Sequence, residues 1–292
     1  MACRYNLTIL MPLEHSMDGH PARRRGGFKL LPIILFGLYF VWYWFANQTE
    51  VPLTGRSQLV DISREQEMAL GLQSYEQILA SERVVTQGQL SQQVRDIAVR
   101  LIRGVHALDG KADPGFDWEV NVIESPQANA FALPGGKIAV YTGLMSVAQN
   151  VDGLAVVMGH EIAHAIARHG AERMAYQKLV QMGSVAAGMS ISDMDPRTQQ
   201  TVMAALGAGT KFGVLLPFSR DHESEADRLG LMFMAAACFD PTEAPRLWER
   251  MSAASQGQPP EFASTHPSHQ TRIQQLNEWM PEALAIREQH CR

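Results

Sequence analysis

The sequence predicts a helix-rich α+β domain with a small sheet, preceded by one N-terminal transmembrane helix. Three observations carry this prediction. Leu30 to Ala46 is an apolar run of seventeen residues without a charge. Short apolar runs on either side of Pro134-Gly135-Gly136 read as strands meeting at a tight bend. From Gly143 onward apolar residues recur at helical spacing.

In chain order, residues 1–27 read as a cytoplasmic tail, of which the first twenty show no periodicity. Residues 28–46 read as the anchor, since Phe28 and Lys29 extend the run to the roughly 17 to 25 residues that cross a bilayer. Arg23, Arg24, Arg25 and Lys29 precede it, and positive charge stays on the cytoplasmic side, so the bulk of the chain is delivered across. Tyr39, Trp42, Tyr43 and Trp44 suit the headgroup interface at its far end. A cleavable signal peptide is the competing reading, but the small residues of a cleavage site are absent around Trp44-Phe45-Ala46-Asn47. Residues 47–56 read as a linker. Residues 57–292, about 235 in number, suffice for one domain with a sizeable core.

Within that domain, Ser63 to Ala80 and Ser91 to His106 read as amphipathic helices and Trp118 to Ile123 as a strand. Asn129 to Leu133 and Lys137 to Tyr141 form the hairpin. Ala171 to Ser190 and Gln199 to Val214 are apolar and rich in small residues; charged interruptions and modest length favour buried helices over a membrane-facing hairpin. A net charge of −5 and a pI near 6.1 leave no basic stripe, which argues against nucleic-acid binding. Of the three cysteines, Cys238 and Cys291 lie beyond the anchor, in a compartment expected to be oxidising, where they can pair.

The chemistry is written in His160-Glu161-Ile162-Ala163-His164. Residues four apart on a helix share a face, so the two imidazoles can grip one ion while Glu161, one step round, reaches a water held there. Zinc suits two imidazoles and a carboxylate and leaves a fourth position for water. The helix reads as continuing through His169 until Gly170 ends it. Ala167 and Gly170 stand where a metzincin would place Gly and a third His, so that class is excluded. A carboxylate from a later helix remains. Ser219 to Asp227 offers Glu223, with Asp227 one turn on to accept a ligand imidazole's proton. Taken alone, such an acidic run reads as an exposed helix face. Glu225 lies about 200° from Glu223 and reads as solvated or salt-bridged.

His160-Glu161-x-x-His164, Ser219-Arg220 with Glu223-x-Glu225-Ala226-Asp227, and Asn129 to Gly136 together resemble the zinc metallopeptidase family of HtpX and the CAAX prenyl protease. The likeness runs from about Thr54 to about Leu276, without the membrane core of HtpX. It is nearest the branch of the mitochondrial Oma-type protease and the bacterial periplasmic quality-control proteases LoiP and BepA. The resemblance implies a zincin-like metallopeptidase domain with one Zn2+ per chain on His160, His164 and Glu223, and Glu161 as catalytic base. It turns the run Asn129, Ala130, Phe131 and Ala132 into a substrate-binding strand. It also brings the His266-Pro267 element, which follows a Ser-, Gly- and Pro-rich loop from Ser252 to Glu261, near the metal. There His266 would act as an extra ligand in a closed form or as a stabiliser of the tetrahedral intermediate; outside the family context it reads as a surface turn residue. His269 and Arg272 could equally order that loop.

The expectation that follows is a membrane-anchored, zinc-dependent endopeptidase in the bacterial inner membrane with its catalytic domain in the periplasm. Its partners would be unfolded or misassembled envelope proteins. The rival expectation is a chaperone or assembly factor for outer-membrane proteins with a structural or regulatory zinc.

Overall fold

In the computed structural model, which describes residues 27–211, 215–254, 266 and 270–291, the N-terminal apolar run forms helix α1 (Leu31–Ala46). The expected cytoplasmic tail, with Arg23 to Arg25, lies outside the described residues but for Gly27, as does most of the loop leading to His266. Strands β1 (Gln48–Glu50) and β2 (Ser57–Leu59) pair antiparallel, so the segment read as a linker carries a small hairpin. Helix α2 (Arg64–Ser81) begins at a reciprocal cap. The Ser63 hydroxyl accepts from the Gln66 amide, and the Gln66 side chain accepts from the Ser63 amide, satisfying two donors.

Strand β3 (Val84–Val85) and helix α3 (Gln89–Leu108) follow, then β4 (Glu119–Ile123), β5 (Ala130–Leu133) and β6 (Lys137–Tyr141). The sheet runs β3-β4-β6-β5, with β4 and β6 parallel and the other pairs antiparallel. β5 and β6 make the expected hairpin, turning at Gly135 and Gly136, whose φ angles of 84° and 82° are strained for other residues. β5 is therefore the edge strand, and it lies against the helix that follows.

That helix, α5 (Val151–Ile166), is reached through the short α4 (Met145–Ala148). The Asn150 side chain starts it by accepting from the Gly153 amide at 2.7 Å. From Gly153 to Ile166 every residue is buried except His164, which is half-buried. Helices α6 (His169–Ser190), α7 (Pro196–Thr210), α8 (Leu216–Ala236), α9 (Glu243–Ala254) and α10 (Gln270–His290) complete the fold. α3 and α8 pack on α5, and α10 packs on α8 and α9. The molecule is thus a helix-rich α+β structure with small sheets.

The crossing of α5 and α8 sets the position of the functional helix, and Gly159 and Gly230 make it close. A Cβ on Gly230 would stand 2.8 Å from the His160 amide nitrogen and 2.9 Å from the Gly159 carbonyl carbon, both backbone atoms. Gly230→Ala is expected to cost about 1–3 kcal/mol by overpacking and to displace His160. Thermal melting together with metal content would check it; a variant equal to wild type in both would show that the crossing is not tight.

Two sequence expectations are corrected. The chain does not run helically to Gly170. It breaks at Arg168, which takes a left-handed φ of 57° while its guanidinium bonds Glu67 at 2.7 Å and the Ile62 carbonyl, and Gly170 sits inside α6. The helices expected to be core are not both so: α7 buries none of its residues, and Val185 and Met189 of α6 are more than half exposed. Small residues make these segments look like core; the later half of α6 does bury Ala186 and Ser190, with Gly183 against Phe36 of α1, but leaves Val185 and Met189 out.

α1 lies antiparallel to α6. Tyr43 is buried against Ala175 and Leu179, Trp44 meets Tyr176 edge-on, and the Lys29 ammonium pairs with Asp193 at 2.8 Å. Among the described residues no helix is long and apolar enough to cross a membrane; the 16 residues of α1 span about 24 Å, against about 30 Å of hydrocarbon. At the other end, Cys238 and Cys291 are joined in a disulfide with their Cα atoms 5.5 Å apart, the pairing their position suggested.

Candidate active site

α5 delivers His160 and His164 to one face, as their spacing requires, and α8 brings Glu223 against them. His160 Nε2 and His164 Nε2 lie 3.0 Å apart, and the Glu223 oxygens lie 3.3 Å and 3.5 Å from these nitrogens. His266 Nδ1 joins them, 2.9 Å from Glu223 and 3.2 Å from His160 Nε2. Ligands about 2.0–2.1 Å from a tetrahedral ion stand roughly 3.3 Å from one another, and the five separations just given, 2.9–3.5 Å, match that geometry. All four lie within 4.8 Å of one another, and they are the one group of this kind among the described residues. Imidazole nitrogens and a carboxylate converging in a buried space can hold a divalent cation.

The charges of these groups are strongly coupled. Burial opposes ionisation of Glu223, but the bonds from His160, His164 and His266 outweigh it and hold the carboxyl well below the usual range. Burial likewise opposes charge on His160, yet its bonds to Asp227 and Glu223 push its pKa up to about 9. Burial leaves His164 well below the ordinary imidazole value. Asp227 lies one turn along α8 from Glu223, and its Oδ1 is 3.0 Å from His160 Nδ1, where it can fix that ring's tautomer. Arg272 of α10 grips both Asp227 oxygens while its guanidinium stacks on Trp248, 3.6 Å from the ring centroid. Burial pushes the Asp227 carboxyl up, but the Arg272 charge, followed by His160, holds it low.

Glu161 points to the side of the cluster that faces β5. Its Oε2 accepts from the Ala132 amide at 3.1 Å, which places the edge strand directly beside it. Its Oε1 is buried with no hydrogen-bond partner, and His266 Nε2 lies 3.4 Å away. Burial pushes this carboxyl up, with His266 and His160 partly opposing. Of the strand residues, Ala130 is buried, Phe131 packs on Tyr141, and Asn129 lies just before β5 with its carbonyl accepting from Tyr141.

Several neighbours escaped the sequence reading. Glu225 is not solvated. Its side chain is 8% exposed and bonds Arg56 at 2.8 Å and His169 at 2.9 Å, so the salt-bridged alternative holds. His169 in turn lies 2.8 Å from His164. On a continuous helix a residue five positions on would sit about 140° round, facing elsewhere; the break at Arg168 is what returns it to the site. Glu172 and His222 lie behind it, and only their acidic and imidazole character hinted at a role.

The sequence pattern of peptidase family M48 matches residues 86–280, which include His160, Glu161, His164, Glu223 and His266. The chain is 38% identical over 251 residues to the mitochondrial metalloendopeptidase OMA1 of Schizosaccharomyces pombe, covering 84% of this chain and 70% of that one. It is 33% identical to the human mitochondrial metalloendopeptidase OMA1, covering 91% of this chain but 52% of that one. With the beta-barrel assembly-enhancing protease of Escherichia coli it shares 29% identity, over 78% of this chain and 47% of that one. A family match across two converging helices, with the donors at metal-ligand spacing, leaves one conclusion: the chain belongs to peptidase family M48 and is a metalloendopeptidase.

Proposed function

We propose that the chain is a zinc-dependent endopeptidase that hydrolyses peptide bonds in misfolded or damaged envelope proteins. The observation that carries this reading is the seat of Glu161, one residue from a ligand, with one oxygen 3.4 Å from His266 of the cluster and the other on the amide of an edge strand. Zinc held by His160, His164 and Glu223 would supply Lewis acidity, polarising a carbonyl and acidifying water. Glu161 Oε1 takes the proton of the attacking water and returns it to the leaving amine. The Ala132 amide keeps Glu161 aimed, and β5 offers main-chain groups to an extended peptide whatever its side chains, which suits unfolded substrates. Asp227 and Arg272 steady His160.

His266 fills the fourth position of a closed form in this reading, and peptide enters when it leaves. His266→Ala should then raise proteolysis of an unfolded substrate severalfold with zinc retained. A fall in rate would assign it instead to stabilising the tetrahedral intermediate, and no change in rate or zinc affinity would remove it from the site. Glu223→Ala should lose the metal, read by metal analysis after dialysis; zinc held as tightly as in wild type would refute the third ligand.

The same reading places the domain in the periplasm behind α1 as a single-pass inner-membrane anchor. The exposed apolar face of α1 and the disulfide, which suits an oxidising compartment, support it. A reporter active only in the periplasm, fused after Arg292, tests the orientation. The name of the Escherichia coli relative favours a second reading, assembly or chaperone work on outer-membrane proteins. Trapping with a Glu161→Gln variant separates them: bound clients that wild type cuts support the peptidase, and clients it never cuts support the chaperone.

A further inference from the structure

The two ligand imidazoles are supported differently. His160 has a carboxylate directly on Nδ1, that of Asp227. His164 has a second imidazole there: its Nδ1 lies 2.8 Å from Nδ1 of His169, whose Nε2 lies 2.9 Å from Glu225. Glu225 is held by Arg56 Nε at 2.8 Å and the Thr54 hydroxyl at 2.6 Å. The remaining Arg56 nitrogens clasp both oxygens of Glu172, which lies 2.8 Å from His222 Nε2, and the His222 ring stacks on His169 at 4.1 Å and 8°. His169, Glu172 and His222 are each about 2% exposed or less.

Proton counting settles the direction of this chain. A metal on His164 Nε2 requires that nitrogen bare, so the proton of the neutral ring sits on Nδ1 and is donated to His169 Nδ1. That atom must then be bare as well, and the His169 proton sits on Nε2, aimed at a carboxylate that can only accept. We propose that His169 is a positioning residue for the metal centre, selecting the His164 tautomer through Glu225 and Arg56 and so tying the Thr54 to Arg56 turn to zinc affinity. The inference rests on the zinc site described above. It gives His164 a two-step connection to a carboxylate where His160 has one step, and it makes the β1–β2 hairpin part of the site's support.

Two measurements on the full chain test it. With ring nitrogens of histidine labelled with 15N and zinc bound, long-range nitrogen–proton correlations should show Nδ1–H on His164 and Nε2–H on His169. A proton on His169 Nδ1 overturns the proposal, and this needs no variant to fold. In competition with a chelator of known affinity, His169→Phe should bind zinc about 10- to 100-fold more weakly, the usual loss when a ligand's outer support is removed. His169→Asn, whose Oδ1 can take the place of the Nδ1 acceptor, should recover most of that loss, which a residue that merely packs would not do. A folded His169→Phe with wild-type affinity overturns the proposal, provided His164→Ala has lost zinc; if His164→Ala keeps it, the zinc-site reading has failed instead.

Discussion

Glu161→Gln is expected to keep its metal and lose about a hundred- to ten-thousand-fold in peptide cleavage, the contribution of a positioned general base. The substitution preserves shape, and the Gln carbonyl can still accept from the Ala132 amide that holds Glu161. His160, His164 and Glu223 are untouched. What is lost is a group able to take a water proton at neutral pH, since an amide cannot. Cleavage of unfolded casein, measured beside zinc content, checks both halves. Wild-type turnover would remove Glu161 from the chemistry, and loss of zinc would show that it holds the site together instead. The sign of the pH dependence follows from the role: the base must be ionised to act, so wild-type kcat/KM should fall as pH falls through protonation of Glu161, and the variant should lack that limb.

Removing the disulfide should cost about 4 kcal/mol. Cys238 and Cys291 are separated by 53 residues, and closing a loop of that size removes conformational freedom from the unfolded chain by roughly this amount. The bond ties the end of α8, which carries Glu223 and Asp227, to the end of α10, which begins beside Arg272. Denaturant unfolding of Cys238→Ser with Cys291→Ser, against oxidised wild type, should show a lower midpoint, and reductant should shift only the wild type. Free thiols at both positions in protein isolated under alkylating conditions would dispose of the bond.

Much of the fold was legible because local signals were strong. α2 follows from Ser63 and its capping partner Gln66, α3 from apolar residues on one face, and the β5–β6 hairpin from Pro134-Gly135-Gly136. The misreadings came where composition resembles burial. Ala, Gly and Met in the later half of α6 and in α7 suit a core, but α7 buries none of its residues, and Val185 and Met189 of α6 stay more than half exposed. Glycine ends helices so often that Gly170 reads as a stop, while the actual break at Arg168 is secured by Glu67, about a hundred residues earlier in the chain.

The site divides in the same way. His160, Glu161 and His164 are related by helical geometry alone, so the sequence by itself determined that two imidazoles share a face with a carboxylate beside them. Glu223, Asp227 and His266 could be named from a family likeness, but on their own they are an acidic helix face and a histidine before a proline. Only the tertiary structure decided that α8 crosses α5 closely enough to bring Glu223 within 3.5 Å of both imidazoles, that the Ala132 amide meets Glu161, and that His169 turns back to His164. The physical reason is range. A spacing of four residues fixes an angle through bonds the backbone makes with itself, whereas Arg56, His169 and Glu225 meet only because packing of distant segments brings them into one buried space, and no local pattern encodes that approach.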